Sequence, residues 1–141
     1  MKKLIYLFSI AFIILQSCST KDSNSSMNTD NSLLLRKWYR VSNTRQGRIY
    51  YNQPCSNGNR DYVQFSTSDI YNTFNITSTN NCNYFVEGPF KWIRNGDVIT
   101  FSFNGVKTST AIISELTATS LKFVETEEGS SVSALYIFSS Y

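Results

Sequence analysis

Apolar and polar residues alternate along most of this chain from Leu33 onward, in short runs broken by turn residues. The clearest run is Val98 to Phe103: Ile99, Phe101 and Phe103 share one face, and Thr100 and Ser102 the other. A period of two sends alternate side chains to opposite sides of a strand, so one side meets a core and the other meets water. The pattern recurs. Arg36 to Val41 carries Trp38, and Gly47 to Tyr51 forms a second run. In Asp61 to Phe65, Val63 and Phe65 oppose Tyr62 and Gln64. In Ile70 to Ile76, Tyr71 and Thr73 oppose Asn72, Phe74 and Ile76. Tyr84 to Ile93 includes Phe90 and Trp92, and Thr108 to Leu116 carries Ala111, Ile112 and Ile113. Leu121 and Phe123 face one way in Ser120 to Glu125. Ala134, Tyr136 and Phe138 do so in Ser131 to Phe138.

The punctuation predicts hairpins. Asn95-Gly96 and Asn104-Gly105 are two-residue turn signals between strands. Thr117-Ala118-Thr119 and Glu128-Gly129-Ser130 separate the last runs, and Gly88-Pro89 marks a bend or an edge. No window sustains a helical period. The expected fold is all-β: a small up-and-down antiparallel β-barrel of eight or nine strands, closed so that no edge stays unpaired.

The first 32 residues follow other rules. Met1-Lys2-Lys3 is basic, Leu4 to Leu15 is apolar, and Leu15-Gln16-Ser17-Cys18 ends the stretch. An apolar run of about 12 residues is short of the ~20 that span a bilayer as a helix. It reads as a leader rather than an anchor. The segment resembles a bacterial lipoprotein signal. The resemblance implies cleavage before Cys18, lipidation of Cys18 with acyl chains such as palmitate, and absence of residues 1–17 from the working protein. Residues 18–32 then form a tether. Only Met27 is apolar between Ser19 and Ser32, so the segment cannot bury enough surface to offset its ordering entropy. A flexible chain of that length spans ~20 Å. Asp22, just behind Cys18, resembles the acidic export signals of Bacteroidetes lipoproteins. The expected location is the cell envelope, lipid-anchored at the outer membrane and facing the periplasm or the surface.

Charge and cysteine content narrow the chemistry. The chain has 13 basic and 10 acidic residues, and two of the lysines leave with the leader. The remainder is close to neutral, which makes nucleic acid a poor partner. With Cys18 assigned to lipid, Cys55 and Cys82 remain, both in polar, turn-like surroundings. In an exported protein the expectation is a disulfide. It closes a loop of roughly 28 residues, worth ~3.5 kcal/mol in the chain-entropy description. Two thiolates without histidine do not make a zinc site, so no metal and no cofactor is expected. The absence of histidine also excludes Ser-His-Asp and Cys-His arrangements within the chain. The carboxylates show no paired spacing of the kind glycoside hydrolysis uses. No catalytic residue is assigned.

Leu34-Leu35-Arg36-Lys37-Trp38-Tyr39-Arg40-Val41-Ser42 resembles the opening strand of the lipocalin-like domains of bacterial lipoproteins. Gly88-Pro89-Phe90-Lys91-Trp92, and the leucine-threonine to serine-leucine hairpin from Leu116 to Leu121, fit the same rhythm. The likeness spans residues 33–138 within a single domain of 33–141. Arg36 stands where that family often has glycine. The resemblance implies that Trp38 packs across the closed end of the barrel. A buried indole at a strand start, its N–H paired with a backbone carbonyl, is the equivalent structural reading.

Nine tyrosines, ten phenylalanines and two tryptophans supply either a lined cavity or a filled core. The expected ligand-lining residues are Phe65, Phe74, Phe90, Trp92, Phe101, Phe103, Phe123 and Tyr136, with Phe138 beside them. The function expected from the resemblance is binding of a small apolar ligand by a monomeric, membrane-anchored, non-catalytic protein. The alternative is a structural or adhesive envelope protein whose filled barrel binds a protein or glycan through its surface. Tyr50, Tyr51, Arg45, Arg48 and the stretch from Asn72 to Asn83 are candidates for that face.

Overall fold

The computed structural model describes residues 30–77 and 82–141. Cys18 and most of the expected tether lie outside the described residues. Nine strands follow one another: β1 (Lys37–Arg45), β2 (Arg48–Tyr51), β3 (Tyr62–Phe65), β4 (Ile70–Ile76), β5 (Tyr84–Asn95), β6 (Val98–Phe103), β7 (Val106–Leu116), β8 (Ser120–Glu127) and β9 (Ser133–Ser139). There is no helix among the described residues.

Consecutive strands from β3 to β9 pair antiparallel, and β1 pairs with both β9 and β3. Eight strands therefore close into the expected barrel. The ninth, β2, is an extra strand beside the outer half of β1, with Arg45 opposite Arg48 and Ser42 opposite Tyr51. β2 and β3 lie along the same side of β1. The chain between them leaves the wall as an excursion over residues 52–61. Its base stays in the ladder: Asn52 N donates to the Val41 carbonyl (2.9 Å) and Arg40 N to the Asp61 carbonyl (2.8 Å).

Turn chemistry sets several registers. Phe103 pairs with Val106 around Asn104-Gly105, both at positive φ, as the dipeptide predicts. Between β5 and β6, Asn95 pairs with Val98. The loop residues are thus Gly96 and Asp97 rather than Asn95 and Gly96. The hairpin forms, displaced by one residue, because Gly96 takes the positive φ and Asn95 stays in the strand. Gly88-Pro89 marks the expected bend. It is a bulge inside β5, where Tyr71 faces Phe90 but Thr73 faces Glu87. Gly88 has φ +125°, and a Cβ there would stand 2.6 Å from Asn72 Oδ1. That position requires glycine.

Inward positions fill one end of the barrel. Trp38, Trp92, Phe65, Phe101, Phe123, Phe138, Leu34, Ile99, Leu121 and Val63 are essentially inaccessible. Each large side chain contributes roughly 1.5–3 kcal/mol by leaving water. The segment before β1 plugs this end. Leu34 is fully buried, Trp38 Nε1 donates to the Leu34 carbonyl (3.2 Å), and Arg36 Nη1 reaches the Ala118 carbonyl (2.8 Å). Arg94 Nη1 holds the Asp30 carbonyl (3.0 Å), so the chain arrives at the closed end.

A second aromatic cluster lies outside the wall. Tyr62 stacks on Phe74 (4.2 Å between centroids) and meets Tyr84 and Tyr39 edgewise or tilted. The 52–61 excursion covers it. A disulfide between Cys55 and Cys82 ties that loop to the β4–β5 connection (Cα–Cα 5.7 Å), as the sequence predicts. Tyr84 Oη donates to the Arg60 carbonyl (3.2 Å).

Candidate functional site

The end opposite the plug is open. β1, β4, β6 and β8 finish there, and β5, β7 and β9 begin there. The inner face changes character along each strand. On β8 it runs Leu121, Phe123, Glu125, Glu127, and on β9 from the other direction Ala134, Tyr136, Phe138. Apolar residues therefore floor the cavity, and polar residues ring its mouth. The cavity measures about 270 Å³. That is just below the usual range of about 300–1,000 Å³ for drug-sized ligands, and suits a smaller one.

Phe90, Phe101, Phe123, Tyr136 and Phe138 line it, as does Tyr71, which packs on Phe101 at 4.6 Å. Phe123 meets Tyr136 at 5.5 Å and Phe138 at 5.3 Å. The upper wall carries Arg40 and Arg45 from β1, Thr73 from β4, Glu87 from β5, Ser109 from β7, and Glu125 and Glu127 from β8.

Register explains the space. Glu125 lies opposite Ala111 on β7 and Ala134 on β9. Two alanines flank it in its row, so no large side chain fills the volume beside the carboxylate. Ser109 Oγ donates to Glu125 Oε1 (2.6 Å). Burial pushes the Glu125 carboxyl above its ordinary value of 4.5. The Ser109 hydrogen bond opposes the shift, Glu127 adds to it, and Arg40 opposes it. Burial likewise raises the Tyr71 phenol well above its ordinary value and lifts that of Tyr136. Glu125 adds to both shifts and Arg40 opposes them.

Arg40 is fixed by two contacts. Its Nη1 lies 3.3 Å from Asp61 Oδ2, and its guanidinium sits over the Tyr136 ring at 5.7 Å. Asp61 also accepts from Asn52 Nδ2 (2.7 Å) and Ile76 N (2.7 Å). One carboxylate thus ties β1, the excursion base and β4 together beside Arg40.

Of the eight expected lining residues, Phe90, Phe101, Phe123 and Tyr136 come together around the cavity, with Phe138. Phe65 and Trp92 do not line it. They pack edge to face at 5.3 Å in the closed end, where the plug leaves no room for a ligand. Phe74 faces outward onto Tyr62, and Phe103 is exposed at the last position of β6, against Phe90. Sequence reasoning passed over Tyr71, Thr73, Arg40, Ser109 and Glu125. For three of them the signal was present: Tyr71 and Thr73 share the face opposite Phe74, and Glu125 is the next step of the Leu121–Phe123 alternation. An alternating face was followed only as far as its apolar members. No group of metal-ligating side chains occurs among the described residues.

A sequence model of the lipocalin-like domain matches residues 34–123, more than half of the chain. Comparison with curated proteins and with solved structures returns no match.

Proposed function

The chain belongs to the lipocalin-like domain family, and from that premise we propose that it is a non-catalytic envelope lipoprotein that holds a small ligand in the open end of its barrel. The carrying observation is the cavity of about 270 Å³, lined by six aromatic rings beneath a polar rim. An eight-stranded barrel has room for one small molecule or for its own side chains. Here the mouth rows are too sparsely filled for the second. The ligand has a mainly apolar body and a polar end, since the walls offer rings below and charges above.

The anchor is the lipidated Cys18 of a Bacteroidetes-type lipoprotein. Asp30 sits at the closed end, held by Arg94. The tether toward Cys18 therefore joins the domain at its closed end, away from the mouth. Anchoring with two or three acyl chains is stable where one chain is marginal. Replacing Cys18 by Ala is expected to move the protein from the membrane fraction to the soluble fraction or to leave its leader uncleaved. A Cys18→Ala protein that is processed and membrane-bound like the wild type refutes the anchor.

Native mass spectrometry of the mature protein tests the cavity. An adduct lost on denaturation is expected. A bare protein, together with no saturable binding of small aromatic probes, refutes the ligand reading. That outcome favours docking through the surface, for which one feature speaks: Ile49, Tyr50 and Tyr51 of β2 are all exposed.

A further inference from the structure

We propose that the cavity takes a small organic cation, a primary or methylated amine on an aromatic or short aliphatic body, and that Glu125 receives its charge. This rests on the reading of the open end as a ligand site and adds the class of ligand.

The argument begins with the row that crosses the cavity wall: Ile99, Ala111, Glu125, Ala134 and Arg45 pair in sequence across β6, β7, β8, β9 and β1. Glu125 is the only acid in it. Its neighbours on both sides are alanines, so its carboxylate borders open volume rather than packed side chain. Among the described residues Ser109 is its only hydrogen-bond donor, and no cation pairs with it. One carboxylate oxygen is occupied, which leaves the other for a donor on the ligand.

The charges around it favour a cation. Three carboxylates, Glu87, Glu125 and Glu127, face two guanidiniums across the cavity. Arg40 is already committed to Asp61 (3.3 Å) and to the Tyr136 ring. Arg45 lies at the exposed end of β1. Thr73 Oγ1 holds Glu87 (3.1 Å) at the rim. A fatty-acid carboxylate entering this space meets three like charges and two opposite ones, of which Arg40 is already paired with Asp61, whereas an ammonium meets the reverse balance. Beneath it the π faces of Phe90, Phe101, Phe123 and Tyr136 attract a cation within about 6 Å. Carboxylate and aromatic rings together form an ammonium site. Arg40 Nε is shielded and has no partner among the described residues. It supplies a donor for a hydroxyl or carbonyl oxygen elsewhere on the same ligand.

The test is calorimetric titration of the full chain in lipid nanodiscs, with empty nanodiscs as the blank. Three probes of nearly equal size are used: tryptamine, 3-ethylindole and indole-3-propionate. Tryptamine is expected to bind at least about tenfold more tightly than either of the others, consistent with one charge-assisted hydrogen bond. Glu125→Gln is expected to remove the advantage of tryptamine over 3-ethylindole. If indole-3-propionate binds as tightly as tryptamine, or if Glu125→Gln leaves tryptamine unaffected, the cation assignment is overturned and the cavity stands. If none of the three binds the wild-type protein, the ligand reading fails, and the cation assignment with it.

Discussion

Asp61 is the position at which a single substitution tests the reasoning most directly. Its carboxylate accepts hydrogen bonds from Ile76 N (2.7 Å), Asn52 Nδ2 (2.7 Å) and Arg40 Nη1 (3.3 Å). Hydrogen bonds to a charged group contribute roughly 1.5–3 kcal/mol each when removed singly. They do not add fully, because water partly replaces lost partners. Removing one member of a buried pair costs about 3–5 kcal/mol, since the remaining charge is left uncompensated. Arg40 and Asp61 are 19% and 14% exposed, so the lower end applies. Asp61→Ala is therefore expected to cost about 3 kcal/mol, or roughly 15 °C in Tm for a domain of this size. Asp61→Asn keeps an acceptor for Ile76 N but turns an amide donor toward two other donors, and is expected to cost about 2 kcal/mol. The assay is urea unfolding followed by the fluorescence of Trp38 and Trp92. Lys107–Glu128 is the control: that ion pair is shorter, 2.7 Å, but its side chains are 48% and 56% exposed. Glu128→Ala is expected to cost under about 0.5 kcal/mol. If Asp61→Ala costs no more than Glu128→Ala, burial does not govern these pairs and the reasoning is wrong.

Other expectations follow from the same geometry. Replacing Cys55 and Cys82 together by Ser removes a cross-link between residues 27 apart. It is expected to cost ~3.5 kcal/mol in urea unfolding; a loss under about 1 kcal/mol would contradict the chain-entropy account. Gly88→Ala places a Cβ 2.6 Å from Asn72 Oδ1 at φ +125° and is expected to cost about 2 kcal/mol. A melting temperature equal to that of wild type would show that the bulge relaxes freely. Glu125→Gln probes pH linkage. The folded carboxyl titrates above 4.5, so the folded state binds the proton more tightly than the unfolded one. Wild-type stability from this group is present at low pH and lost as pH rises through the raised value. The Tm of Glu125→Gln relative to wild type should thus climb from pH 4 to pH 8, and a flat difference would refute the burial cost.

Strand existence and most of the facing were legible because period two survives between the bulges. Tyr71 and Thr73 do share a face, as do Ala134, Tyr136 and Phe138. Hairpin positions were nearly as plain, and Asn104-Gly105 behaves as its residues dictate. The double partnership of β1 was not legible. Nothing local to Arg48–Tyr51 distinguishes an extra exposed strand from a barrel member. Bulges were equally hidden. One lies in β1 between Arg40 and Ser42, one in β5 at Gly88-Pro89, and two in β7, between the partners of Phe101 and Ser102 and between Ile113 and Glu115. Each changes which residues face each other across strands, and cross-strand opposition is a non-local property. The row placing Ala111 and Ala134 on either side of Glu125 has members far apart in sequence, and the cavity depends on it.

This row also decides whether the barrel is filled. The closed end holds large side chains at almost every inward position, and the layer above it holds Phe101, Phe123 and Tyr136. An eight-stranded barrel of this width closes completely when such residues continue to the mouth. They do not continue. At the level of Glu125 the inward residues on both neighbouring strands drop to alanine, and the intervening position carries a charge. A sequence under pressure only to fill its core gains nothing from that choice. A half-buried carboxylate gives up hydration without adding apolar contact, and its alanine neighbours forgo the contacts that a leucine or phenylalanine makes. Among the described residues Ser109, rather than a cation, meets the carboxylate, and Arg40 acts on it only from a distance. Small neighbours, an unpaired acid and a floor of rings each lower the stability of an empty barrel. Together they make sense as the lining of an occupied one.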